Sequence, residues 1–101
     1  MPGYRLSVAA EADLTGIWDY TFETWGEAQA DRYLEQMEAC FERIAAGQAV
    51  CRDFPEIDTR LQSCHCEHHY VFFLTSNTDV IIIAVLHERM DLMTRLQGRL
   101  K

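Results

Sequence analysis

At 101 residues the chain has room for one domain, expected to span residues 1–101, with one modest core. Hydrophobic residues make up 49%, while Pro and Gly together number seven, a globular rather than disordered composition, and the formal net charge is −7. With no apolar run of about 18 residues and no secretory N-terminal pattern, the cytoplasm is the expected compartment, and the four cysteines are expected to be thiols rather than disulfides.

Tyr4-Arg5-Leu6 alternates apolar and polar residues and predicts a short strand. Ser7 is a good N-cap for the helix that follows. In that helix Leu14, Ile17, Trp18, Thr21 and Trp25 recur on one face. Gly16 weakens it somewhat, and Trp25-Gly26 predicts its end. A second helix is expected from about residue 27 to 46. Its apolar stripe is Ala30, Tyr33, Leu34, Met37, Phe41, Ile44 and Ala45, and Gly47 is placed to cap it. The two helices form an αα-hairpin.

Residues 48–60 contain Pro55 and several charges and read as a loop. A strand is expected over residues 61–67, then an aromatic one over 70–75. Residues 76–79 read as a turn. The run Val80-Ile-Ile-Ile-Ala-Val-Leu-His87 opens with four β-branched residues and reads as the most buried strand. Leu92, Met93, Leu96 and Leu100 predict a short amphipathic tail helix, interrupted by Gly98. The fold class is α+β: an N-terminal strand, a helical hairpin, a three-stranded antiparallel meander and a short C-terminal helix.

The charge is unevenly placed. Residues 1–58 carry four basic and twelve acidic side chains, whereas residues 59–101 carry five basic and four acidic ones. An acidic front half argues against nucleic-acid binding there. An anionic partner would have to meet Arg89, Arg95, Arg99 and Lys101. Glu27, Asp31, Glu35, Glu38 and Glu42 line one face of the second helix and read as a solvated face, relieved by Arg32 and Arg43. A docking face for a basic partner is the sharper alternative.

The segment Ser63-Cys-His-Cys-Glu-His-His69 is rich in metal-ligand types. On a strand, however, Cys64 and Cys66 share one face and His65 takes the other. Structural zinc sites more often use Cys-x-x-Cys-type pairs plus a second ligand pair. Cys51 or His68 would complete a set only if the loop folds back. The expectation is therefore no metal and no cofactor, with Cys64 and Cys66 in the core and the histidines at a turn. Cys40 falls near the apolar side of its helix and reads as core rather than nucleophile.

Tyr4-Arg-Leu-Ser7, Trp25-Gly26, His69-Tyr-Val-Phe-Phe73 and the stretch from Val80 through His87-Glu-Arg-Met-Asp91 together resemble the ParE branch of the RelE/ParE toxins, nearly end to end. The resemblance implies the toxin half of a type II toxin–antitoxin pair. It implies a protein that binds DNA gyrase without chemistry of its own and is neutralised by a small ParD-like antitoxin. Target contact would fall on His87, Arg89, Met90, Asp91, Arg95 and Arg99. The antitoxin would lie in an apolar groove at Trp18, Trp25, Tyr33 and Met37 and pair with the strand edge at Tyr4 and Leu6. Neither membrane contact nor sequence-specific nucleic-acid binding is implied.

The chain departs from the family habit in three places. It is acidic where such toxins are often basic. It reads Phe72-Phe73 where Phe-Tyr is common, and Ala84 where an arginine often precedes Val-Leu-His. One alternative is a RelE-type ribosome-dependent mRNA endonuclease, for which His87 and Arg89 are the candidate groups. Against it, the only lysine is Lys101 and no tyrosine follows Tyr70. The other is a detoxified member kept as a binding module.

Overall fold

The computed structural model describes residues 3–76 and 79–100. Strand β1 (Gly3–Leu6) ends at Ser7, whose hydroxyl accepts the Ala10 N–H at 3.0 Å and starts helix α1 (Val8–Trp25). Gly26 alone separates α1 from α2 (Glu27–Ala45). Its φ of 96° is one that side chains resist, so the expected break lies where only glycine sits easily. Gly47, at φ 72°, closes α2. The N–H groups of Gly47 and Gln48 return to the carbonyls of Ile44 and Arg43, which satisfies two of the helix's last acceptors.

Strands β2 (Arg52–Asp53), β3 (Leu61–Cys66), β4 (His69–Ser76) and β5 (Asp79–His87) join β1 in a five-stranded sheet of order β1-β5-β4-β3-β2. The meander β3-β4-β5 is antiparallel, as expected. Two features were not. The segment read as a loop contributes β2, paired to β3 with Arg52 opposite Ser63. Two exposed charged residues carry no alternation to read. The first strand lies parallel to the last, with Tyr4 opposite Val80 and Leu6 opposite Ile82. In the expected turn at 76–79, Ser76 pairs with Asp79, while Asn77 and Thr78 lie outside the described residues, as does Lys101.

Both faces of the sheet are covered. The helical hairpin lies on one, over a core of Met37, Phe41, Val71, Phe73, Ile82 and Val85. Helix α3 (Leu92–Arg99) and residues 54–57 lie on the other, over Leu61, Phe72, Ile83, Ala84 and Leu86. Leu96 fixes α3 there and is fully buried. This double cover explains the unbroken apolar run of β5, since a strand with one solvated face would alternate. The run also contains a bulge. Phe72 pairs with Ala84 but Phe73 pairs with Ile82, so Ile83 is the extra residue. Ile83 and Ala84 consequently face the same side, and Val85 returns to the hairpin side.

Of the four cysteines, Cys40 and Cys66 are joined as a disulfide, while Cys51 and Cys64 are free. This corrects the expectation of thiols throughout, which rested on compartment and not on geometry. Cys64 and Cys66 do face the core together. The expectation that the histidines sit at a turn holds only for His68. His65 lies on β3, and His69 is buried on β4. The acidic residues of α2 from Glu27 to Glu42 are all exposed.

β1 runs beside β5 only as far as Ile82, where the Ser7 N–H takes the Ile82 carbonyl at 2.9 Å. Beyond that point the edge of β5 has no strand neighbour. Side chains take its place. Asp13 of α1 accepts the Val85 N–H at 2.9 Å, and Arg99 of α3 donates to the Ile83 carbonyl at 2.8 Å. The two side chains also pair, through contacts of 2.8 and 2.9 Å, and are only 16% and 21% exposed. Arg99→Met is expected to destabilise the chain by about 2–3 kcal/mol in urea unfolding, because it strands a mostly buried carboxylate and leaves the Ile83 carbonyl only the longer Ser7 hydroxyl contact at 3.4 Å. Arg99→Lys restores little, since one ammonium cannot match the fork. A change below about 0.5 kcal/mol, the usual range for a surface residue, would show the pair to be ornamental.

Candidate functional site

The shape that survives this packing is an open cleft of about 710 Å³ at the end of the sheet where β5 stops. One wall is α1, through Asp13, Gly16, Ile17, Tyr20 and Trp25. The start of α2 adds Gln29 and Tyr33. The opposite wall is the end of β5 with Val85 and His87, followed by Met90, Arg95 and Arg99. Gly26 sets this geometry, since it folds α2 back so that Trp25 and Tyr33 look into one space. Tyr20 and Trp25 are 68% and 69% exposed, and Met90 is 43% exposed. The cleft is thus a largely apolar surface with a few polar groups, the form of a binding site.

Its charges are mostly cancelled. Asp13 and Arg99 neutralise each other. Among the described lining residues, Arg95 is the one charged group without an ion-pair partner.

All four histidines gather at this end of the sheet. Glu88 accepts from His65 Nε2 at 2.8 Å and lies 3.4 Å from His68 Nδ1. The His65 hydrogen bond is the main cause holding the exposed Glu88 carboxyl below its usual range. His69 is buried, in edge contact with the His87 ring. The Tyr33 hydroxyl accepts the His68 N–H at 3.1 Å and lies 2.6 Å from His69 Nδ1. Burial, with the neighbouring His87 and His68 adding to it, lowers the His69 pKa to about 4.

The expected target-contact residues divide. His87, Met90, Arg95 and Arg99 line the cleft. Arg99 is engaged as the clamp on β5, and Asp91 caps α3 by accepting the Thr94 N–H and hydroxyl at 3.3 and 2.7 Å. Arg89 is exposed beside the cleft, its backbone N–H donating to His87 Nδ1 at 3.1 Å.

The expected antitoxin residues do not share one surface. Trp25 and Tyr33 lie in the cleft with the target set. Trp18 lies on the outer hairpin, stacked on Phe22 and donating to Asp31 at 3.1 Å. Tyr4 and Leu6 are on the edge strand, with the Tyr4 ring against Phe41. Met37 is fully buried and has no surface to offer a partner. Ala84, where the family often has arginine, is also fully buried, on the α3 side.

Two contributors were missed from the sequence. Asp13 looked like one more acidic residue of an acidic half, and Tyr20 lies outside the apolar stripe of α1. An exposed aromatic off the core face is a signal that a search for partner surfaces would have used.

The His69 pKa has a measurable consequence. Its folded value of about 4 lies below the ordinary histidine value of 6.5, so the neutral ring stabilises the fold above pH 6.5. That contribution is lost as pH falls toward 4, by up to about 3 kcal/mol in total and about 1.4 kcal/mol per pH unit at most. Between pH 6.5 and 5, above most carboxylate titrations, His69→Gln should remove close to one proton from the linkage slope measured by urea unfolding. An unaltered slope would mean that His69 titrates normally.

The family model described as ParE toxin of type II toxin-antitoxin system, parDE, matches residues 4–92. The protein named Toxin ParE of Escherichia coli is 48% identical over 102 residues, covering 100% of this chain and 99% of that one. Toxin ParE1 of Mycobacterium tuberculosis is 36% identical over 89 residues, covering 87% and 91%. A solved structure described as the chromosomal ParDE TA system from P. aeruginosa superposes with a TM-score of 0.70 at 16% identity, over 86% of this chain and 96% of that one, and shares the fold. With the match running from β1 to the start of α3, the chain belongs to the ParE toxin family of type II toxin–antitoxin systems.

Proposed function

We propose that this ParE toxin acts in the cytoplasm by binding DNA gyrase and stalling it on cleaved DNA, and that a cognate ParD-like antitoxin neutralises it. ParE toxins are not enzymes, which fits a protein that works by occupying a partner. The observation that carries the reading is the cleft at the sheet end. It sets His87, Met90 and Arg95 from the tip beside Tyr20 and Trp25 from the hairpin. Exposed aromatics, a methionine and one arginine free of an ion pair are the residue types that anchor protein interfaces. Antitoxin contact is supported separately by β1, an edge strand whose outer backbone has no neighbour in the sheet. No helix is long and apolar enough to cross a membrane among the described residues.

The test uses purified gyrase, supercoiled plasmid, ATP and the toxin, with protein removed before electrophoresis. Linear plasmid should accumulate. Trp25→Ala and Arg95→Glu should each lower the yield by about tenfold while leaving the melting curve in place, as for interface anchors. Supercoiling and cleavage that do not respond to folded toxin would exclude gyrase as the target. Full activity of both variants would instead move the contact away from the cleft.

A further inference from the structure

Three of the four cysteines, Cys40, Cys64 and Cys66, converge at one place from a helix and a strand, and the fourth, Cys51, lies on the neighbouring loop. Cys64 and Cys66 are two apart on β3 and face the hairpin together. Cys40 comes down on them from α2. The Cys64 sulfur lies 3.9 Å from both the Cys40 and the Cys66 sulfur, and the three sulfurs all lie within 4.8 Å of one another. Cys51 extends the β2–β3 register one step beyond the Arg52–Ser63 pair, which sets it against Cys64, and the two thiols interact. The loop therefore does fold back onto the Cys-rich strand. Core packing accounts for one buried cysteine. The Cys40–Cys66 disulfide accounts for two more, but neither gives a reason for the free Cys64 thiol to lie against both of those sulfurs with Cys51 beside it.

We propose that the reduced chain binds one thiophilic d10 cation, of the zinc(II) or copper(I) kind, through Cys40, Cys64 and Cys66, with Cys51 as a fourth ligand. Metal–sulfur bonds of about 2.3 Å at tetrahedral angles put neighbouring sulfurs about 3.8 Å apart. The two non-bonded spacings of 3.9 Å already have this value. Thiolates select soft cations over hard ones. The Cys40–Cys66 disulfide must open first. A dithiol reductant supplies two electrons and two protons and leaves as its own disulfide. Each thiol then loses its proton as its bond to the metal forms, and the metal's oxidation state does not change. The half-buried Cys51, next to the exposed Val50, marks the way in.

The proposal is independent of gyrase. The chain is reduced with a dithiol, exchanged without air into thiol-free buffer, and titrated with cobalt(II) as a spectroscopic probe. One equivalent should produce thiolate-to-cobalt charge-transfer and tetrahedral ligand-field absorption, and excess zinc(II) should bleach both. Cys64→Ala should abolish the signal, and Cys51→Ala should lower the charge-transfer intensity in proportion to the lost sulfur. Alkylation of the wild-type protein, read by mass, covers the case of a variant that does not fold, and zinc(II) should protect all four thiols. A reduced, folded chain with no charge-transfer band and thiols that alkylate equally fast with and without zinc(II) would overturn the site. So would a Cys40–Cys66 bond that the dithiol does not open in the native chain.

Discussion

The paired carboxylate and guanidinium of Asp13 and Arg99 hold three elements at one spot. β5 loses its neighbour after Ile82, because the chain turns away at Ser7 to enter α1. A buried strand with a bare N–H and a bare carbonyl is unstable unless something pairs with both. Asp13 takes the first and Arg99 the second, and their attraction closes the set. The bulge at Ile83 belongs to the same solution, since the extra residue places that carbonyl where α3 can reach it. Without the clamp, α3 would rest on Leu96 and its partly buried neighbours alone.

The binding cleft follows from the same constraint. Both members of the clamp line it, so α1 and α3 are joined there by a paired contact. Arg99, which reads from the sequence as one of several tail cations, is largely consumed by this duty. Arg95, one turn earlier, remains available to a partner. The Tyr33–His69 pair supports the opposite end by tying α2 to the turn that follows β3. The proposed contact residues thus lie beside residues that hold the fold, and substitutions in the tail need a folding control before they are read as contact losses.

Much of this was legible beforehand. Apolar spacing located both helices of the hairpin, and Ser7, Gly26 and Gly47 marked their ends, because capping is a local matter. The β-branched run located β5. Pairings between distant residues were not legible. The parallel contact of β1 with β5, the short strand β2 and the salt bridge across 86 residues leave no periodic trace. For the site, the structure places His87, Met90, Arg95 and Arg99 of the tip around one cleft, and residue type alone does not say which of them are engaged in the fold. Met37 shows the converse limit, since an apolar stripe does not say which of its members a partner could touch. The cysteines show no second ligand pair by spacing, and the approach of Cys40 to Cys64 and Cys66 is visible only in the tertiary structure.

The parallel pairing of β1 with β5 also governs when the toxin comes into being. Residues 3–6 find their partners at 79–82, so the sheet's edge stays open until most of the chain has been made. Contacts so distant in sequence form late, after the local hairpin and meander. The cleft also needs Arg95 and Arg99 of α3. A chain made only as far as α2 has the residues of the helical hairpin but neither β5 nor α3, so one wall of the cleft is still missing.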